Sequence, residues 1–235
     1  MKYVFRLSLI LFSALLPGRQ VMADELLFSH SNHPITHAIL IPMLQDVYRE
    51  LGYQLRFQEA EGARTLKLFA DNLVDGDVAR LEPVLRGIDN AVPVVLLDTV
   101  QVVLYCRKGI VCQDSVLRNA KLRILVPTQD ATLQLLATNI EAKLYFNSDW
   151  NGVMAMFVSG KIDYMLWAES KLIAPLPLDN ANKAATTIGP FGLYHLLHLK
   201  HSALAMPVAE ALEKRLRDDF NQGLAKLKKS GEYQK

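Results

Sequence analysis

The sequence predicts an α/β protein of two similar lobes with a cleft between them. A repeated phrase is the first reason. Leu66 to Asp75 reads LKLFADNLVD and Met154 to Asp163 reads MAMFVSGKID, about ninety residues further on. Each is a short amphipathic helix, a small break, and an Asp entering an apolar strand. Length is the second reason: 212 residues follow an N-terminal leader, more than the common domain size of about 100–150. The third is the alternation of helical and strand patterns. Open α/β sheets bind ligands beyond the carboxyl ends of their strands, so two such lobes point to a small-molecule binder.

The leader is read from its own pattern. Lys2 and Arg6 form a positive n-region, Leu7 to Leu16 is an uncharged apolar core, and Val21-Met22-Ala23 is a small-residue cleavage site. These are the parts of a secretory signal peptide over residues 1–23. The apolar run is too short to span a bilayer, which takes about 20 residues, and no Cys stands at the cleavage point to carry a lipid. Removing Lys2, Arg6 and Arg19 leaves a formal charge of −1. That balance gives no case for nucleic acid or an anionic membrane as partner. The expected location is the periplasm. In an oxidising compartment Cys106 and Cys112, in YCRKGIVC, are expected to form a disulfide.

The elements follow in order. Glu25 to Ser29 reads as a strand, and Ser31 to Pro34 as a turn. Thr36 to Leu51 reads as a helix with an apolar face from Ile39 to Leu51, Pro42 either in its first turn or kinking it, and Gly52 as its stop. Tyr53 to Gln58 alternates like a strand. Arg64 to Asn72 is a helix and Val74 to Ala79 a strand. Val92 to Leu97 and Val100 to Tyr105 read as two buried strands. Leu122 to Val126 is a strand, followed by Pro127 to Asp130 and a helix from Ala131 to Ala142. A helix from Ser148 or Asp149 closes at Gly160, and Ile162 to Trp167 is the next strand. Phe191 to Leu199 is a further strand, and Pro207 opens a terminal helix with Val208, Leu212, Leu216 and Phe220 on its stripe.

Taken together, ELLFSHSNHP, ARTLKLFADNLVDGDVAR, LYCRKGIVCQDSVLRNAKLRILVPTQDAT, VMAMFVSGKIDYMLWAE and the tail from Leu199 resemble the extracellular solute-binding proteins of family 3, the periplasmic amino-acid-binding type. The resemblance covers nearly the whole chain after the leader. It implies a periplasmic-binding-protein type II fold, two α/β lobes joined by two crossing strands. Residues 24–103 and 191–235 would form lobe one and residues 104–190 lobe two, with crossings near Tyr105 and Pro190. It further implies capture of a small polar solute by hinge closure and delivery to an ABC permease or a membrane sensor. The protein would act as a monomer, without a cofactor and without catalysis.

Candidate ligand residues come from both sources. A carboxylate ligand needs a fixed bidentate cation, which Arg supplies better than Lys. Arg80 follows a strand end, and Arg64 stands near a helix start. Members of the family place their carboxylate Arg close to where Arg86 stands, so the three remain open. Thr128 and Thr132 flank a helix start after a strand, where free backbone N–H groups favour an anionic oxygen. Ser29, Asn32 and His33 are expected hydrogen-bonders in the first loop. Trp167 offers a stacking surface. The family's ammonium-holding Asp corresponds to Ala168, which leaves Glu169 as the nearest acid. Asp75 and Asp163 read as structural, at strand starts. Two other readings compete: a cleft enzyme of the cyclohexadienyl dehydratase type using Glu169 or Glu59, and a metal-binding protein using His30, His33 and His37.

Overall fold

In this computed structural model the described residues are 24–60, 63–127, 139–147, 149–172 and 181–218. The leader, residues 131–138 of the helix expected from Ala131 to Ala142, and the tail beyond 218 lie outside them; residues 139–142, expected as that helix's end, are turn and irregular chain. Eight strands form one sheet in the order β2-β1-β3-β8-β4-β7-β5-β6. They are β1 (Asp24–His30), β2 (Tyr53–Glu59), β3 (Gly76–Leu81), β4 (Ala91–Arg107), β5 (Arg123–Val126), β6 (Lys143–Phe146), β7 (Tyr164–Glu169) and β8 (Ala181–His198).

β1 enters the sheet between β2 and β3 and runs parallel to both. The chain then turns through a π-helical stretch, Thr36–Leu40, into α1 (Ile41–Glu50). Pro42 stands where the π-helical stretch passes into α1, inside a continuous helix, and the wider π turn accommodates its missing N–H. Ile39, Leu40, Met43, Leu44, Val47 and Tyr48 recur at helical spacing and are buried. Gly52 ends the helix at a φ of +88°, a conformation that suits glycine. The helix α2 (Ala63–Ala70) leads to β3. There Gly76 admits close packing: a Cβ would lie 2.6 Å from the Leu196 carbonyl oxygen and 2.9 Å from the Phe28 ring. The short helix α3 (Glu82–Leu85) connects to β4.

The two β-branched runs expected as separate strands are one strand. β4 has 17 residues and pairs antiparallel with the 18-residue β8 from Ala91↔His198 to Arg107↔Ala181. Asp98 and Thr99, which separated the two expected strands, pair in regular register with Leu193 and Gly192; register shifts on either side bend the ladder without ending it. These two strands link the halves of the sheet. In the second half, β5 is parallel to β6 and β7, and α4 (Trp150–Val158) precedes β7. The repeated phrase therefore forms the same step twice, α2 to β3 and α4 to β7, with Asp75 and Asp163 each one residue before a strand.

One face of the sheet carries a core that runs through both halves, from Phe28, Leu44, Tyr48 and Val208 to Val103, Tyr105, Leu125 and Met165. The other face has a separate cluster in each half, around Phe69 and Leu196 and around Ile124 and Leu166. A last helix, α5 (Ala205–Asp218), starts two residues before Pro207 and follows a 3-10 stretch, Leu199–Leu204. Cys106 and Cys112 form a disulfide. No helix among the described residues is long and apolar enough to cross a membrane.

Candidate functional site

The strand registers fix where a ligand site can lie. β3 ends at Leu81, which is opposite Leu193 of β8, and Leu193 is opposite Asp98 of β4. From the other side, β7 ends at Glu169, opposite Gln101 of β4. The carboxyl ends of the parallel strands in both halves thus converge on one stretch of β4, three residues apart, or about 10 Å. This is where open α/β sheets place ligands.

Near the end of β1 and along β3 the polar side chains pair with one another. Ser29 and Asp77 are register partners on parallel strands, so their side chains share a face. The Ser29 hydroxyl donates to Asp77 Oδ2 at 2.6 Å, and the Ala79 N–H donates to Asp77 Oδ1 at 3.0 Å. Arg80 would point to the opposite face of a regular strand. Between Asp77 and Arg80, however, β3 has one more residue than β8. This bulge reverses the alternation, and Arg80 Nη2 donates to Asp77 Oδ2 at 2.5 Å. Arg80 and Asp77 are 1% and 0% exposed. Arg80 is thus held below the surface by an acid of its own strand. Arg64 on α2 and Arg86 after α3 are both exposed.

The loop after β1 exposes Asn32, while His33 is half-buried and its Nδ1 accepts from the Ile35 N–H at 3.2 Å. His30 is buried and packs edge-on to His37 with ring centroids 5.0 Å apart. These histidines form no metal cage: among the described residues no group of three or more His, Cys, Asp or Glu is placed to hold an ion. Thr128 and Thr132 lie outside the described residues.

On β7, Trp167 is buried in the core, opposite Val103. Glu169, two residues on, shares its face of the strand but lies at the edge of the core. It accepts a hydrogen bond from the Tyr105 hydroxyl and an ion pair from Lys183 Nζ at 2.7 Å. Lys183 also lies 5.3 Å from the Tyr105 ring centroid, within cation–π range.

No family model matches the chain, and no curated protein matches it. Solved structures do. The GluR0 ligand-binding core from Nostoc punctiforme in complex with L-glutamate has a TM-score of 0.64 at 12% identity, over 85% of this chain and 96% of that one. The chain has the fold of the type II periplasmic binding proteins. An amino acid ABC transporter substrate-binding protein, AbpA from Streptococcus pneumoniae, bound to L-arginine, gives 0.63 at 12%, covering 87% and 92%. The BvgS periplasmic VFT2 domain of Bordetella pertussis gives 0.58 at 12%, covering 87% and 93%.

In this fold two long strands join two lobes, as β4 and β8 join the halves of the sheet here, and the convergence at Asp98 to Gln101 lies on that strand pair. Asp98 occupies that stretch. It is 7% exposed, and its carboxylate accepts from the Thr99 N–H at 2.8 Å and the Leu172 N–H at 3.0 Å. It ties the segment after β7 to the strand crossing. Sequence reasoning passed over Asp98, although an acid inside the apolar run VVLLDTVQVV was a usable signal. Sequence reasoning also passed over Tyr105 and Lys183 as partners of Glu169. They lie far apart in the chain, and only the β4–β8 pairing of Tyr105 with Lys183 joins them.

Beneath lobe one, His195 is fully buried. Its Nδ1–H donates to the Val78 carbonyl at 3.2 Å, and its Nε2 accepts from the Tyr48 hydroxyl at 3.0 Å. These bonds fit the neutral ring. Burial pushes its pKa down to about 4, and burial pushes the Tyr48 hydroxyl far up. His198, three residues on, stacks on Phe69 across the sheet.

Proposed function

We propose that this protein is a non-enzymatic solute-binding protein of the periplasm, which closes its two lobes on a small polar, carboxylate-bearing ligand. What carries the reading is the convergence of strand ends from both halves of the sheet on Asp98 to Gln101. A ligand bridging those ends favours the closed state by its extra contacts there. In this reading residues 24–103 and 191–235 move against residues 104–190, and β4 and β8 supply the hinge.

The candidate residues divide by exposure. Arg80 and Ser29, locked on Asp77, stiffen the floor of lobe one, and Trp167 does the same in lobe two. Arg86 or Arg64, both exposed, supplies the cation for a ligand carboxylate. Asn32, Thr128 and Thr132 offer polar contacts, and Glu169 meets a ligand ammonium once Lys183 yields. The closed form is presented to a membrane partner, an ABC permease or a sensor.

Thermal unfolding against L-amino acids, dicarboxylates, polyamines and aromatic acids tests this. A ligand of the native state at a hundredfold excess over its Kd adds about 2.7 kcal/mol. One class should raise Tm, and Arg86→Ala or Arg64→Ala should remove the gain. No gain with any class would count against the reading.

A further inference from the structure

A second concave site lies at the opposite end of lobe two. It has a volume of about 530 Å³ and opens between the amino ends of β5, β6 and β7. Ligand pockets commonly span about 300–1,000 Å³. Arg107 ends β4 beside this pocket, six residues beyond Gln101. At strand rise that places the pocket about 20 Å from the cleft.

Its chemistry is one-sided. Lys121, Arg123, Lys143 and Lys161 surround it, and all four are exposed. Arg123 and Lys143 are direct register partners on parallel strands. Like charges set side by side on neighbouring strands oppose folding. Asp163 is the acid at the pocket, and Arg107 already takes its carboxylate, with Nη2 at 2.7 Å and Nε at 2.8 Å. None of the four cations makes a side-chain ion pair within the described residues. Between them lie the half-buried Met156 and Ile162, with Tyr145 49% exposed; Leu122 and Leu144 border the pocket through their backbone, since their side chains pack on the other face of the sheet. Fold stability gives no reason to gather around one hollow four cations that make no side-chain ion pair among the described residues.

We propose that this pocket binds a small organic anion carrying two or more negative charges on an apolar or aromatic body. The cations neutralise the charges, and the methionine, isoleucine and tyrosine surfaces take the body. The pocket is separate from the cleft, so it does not depend on the cleft's ligand.

The test is a titration of the isotope-labelled protein with benzene-1,3,5-tricarboxylate, followed by NMR. Saturable shifts are expected at the amides of Leu122, Leu144 and Ile162. The double variant Lys143→Gln/Lys161→Gln should weaken binding about tenfold, and added salt should weaken it further. Arg86→Ala, which touches only the cleft reading, should leave it unchanged. Absence of saturable shifts would overturn the proposal, as would shifts confined to the cleft or undiminished binding by the double variant. Binding of a hexaglutamate peptide without binding of the tricarboxylate would also overturn it, in favour of a protein-docking surface.

Discussion

Arg80 donates to Asp77 at 2.5 Å in an ion pair that is buried on both sides. The pair exists because one extra residue in β3 turns Arg80 onto the face of Asp77. Removing the cation leaves a buried carboxylate short of its charge partner, which typically costs 3–5 kcal/mol. Arg80→Ala should therefore destabilise the protein by about 3 kcal/mol, since Ser29 and Ala79 still donate to Asp77. Urea unfolding measures this. An unchanged midpoint would mean that the pair has no structural role.

Buried His195 makes stability depend on pH. Its folded pKa of about 4 lies below the ordinary 6.5. Between those values the unfolded chain holds a proton that the folded one does not, so stability falls as pH drops through the window. The shift corresponds to a loss of about 3 kcal/mol at most. His195→Gln should flatten the profile between pH 6.5 and about 4. Below that window Asp75 takes over. Burial raises its pKa, but the Leu27 N–H, Lys200 and His201 outweigh this and hold it lower than usual. Its contribution is lost only as pH falls through that lowered value.

The disulfide joins residues six apart in sequence. A loop that short restricts the unfolded chain by only about 2 kcal/mol. Reduction should lower stability by that amount and leave the fold intact, as unfolding with and without reductant would show. Complete unfolding on reduction would mean that the bridge does more than close its loop.

Much of lobe one was legible because its signals are local. Helical spacing from Ile39 to Leu51 and the Pro42 and Gly52 punctuation give α1 within a few residues. The repeated phrase marks both helix-to-strand steps. Asp98 misled because an acid within an apolar run reads as a break, whereas backbone N–H groups satisfy it inside one strand. The long β8 was read only from Phe191 because Ala181 to Pro190 lacks an apolar run. Arg80 was legible as a special arginine, but its direction depends on a bulge, and a bulge is visible only when two distant strands are in register. The site partners Tyr105, Glu169 and Lys183 meet for the same non-local reason.

The proposed solute-binding function requires that the two lobes close across the strand pair at Asp98 to Gln101. Spin labels at Gln54→Cys on β2 and Arg118→Cys beyond β4, both exposed positions, report the separation of the lobes directly. A ligand that raises Tm should shorten and narrow the distance distribution between them. A ligand that raises Tm and leaves that distribution unchanged would mean that the lobes do not close on it.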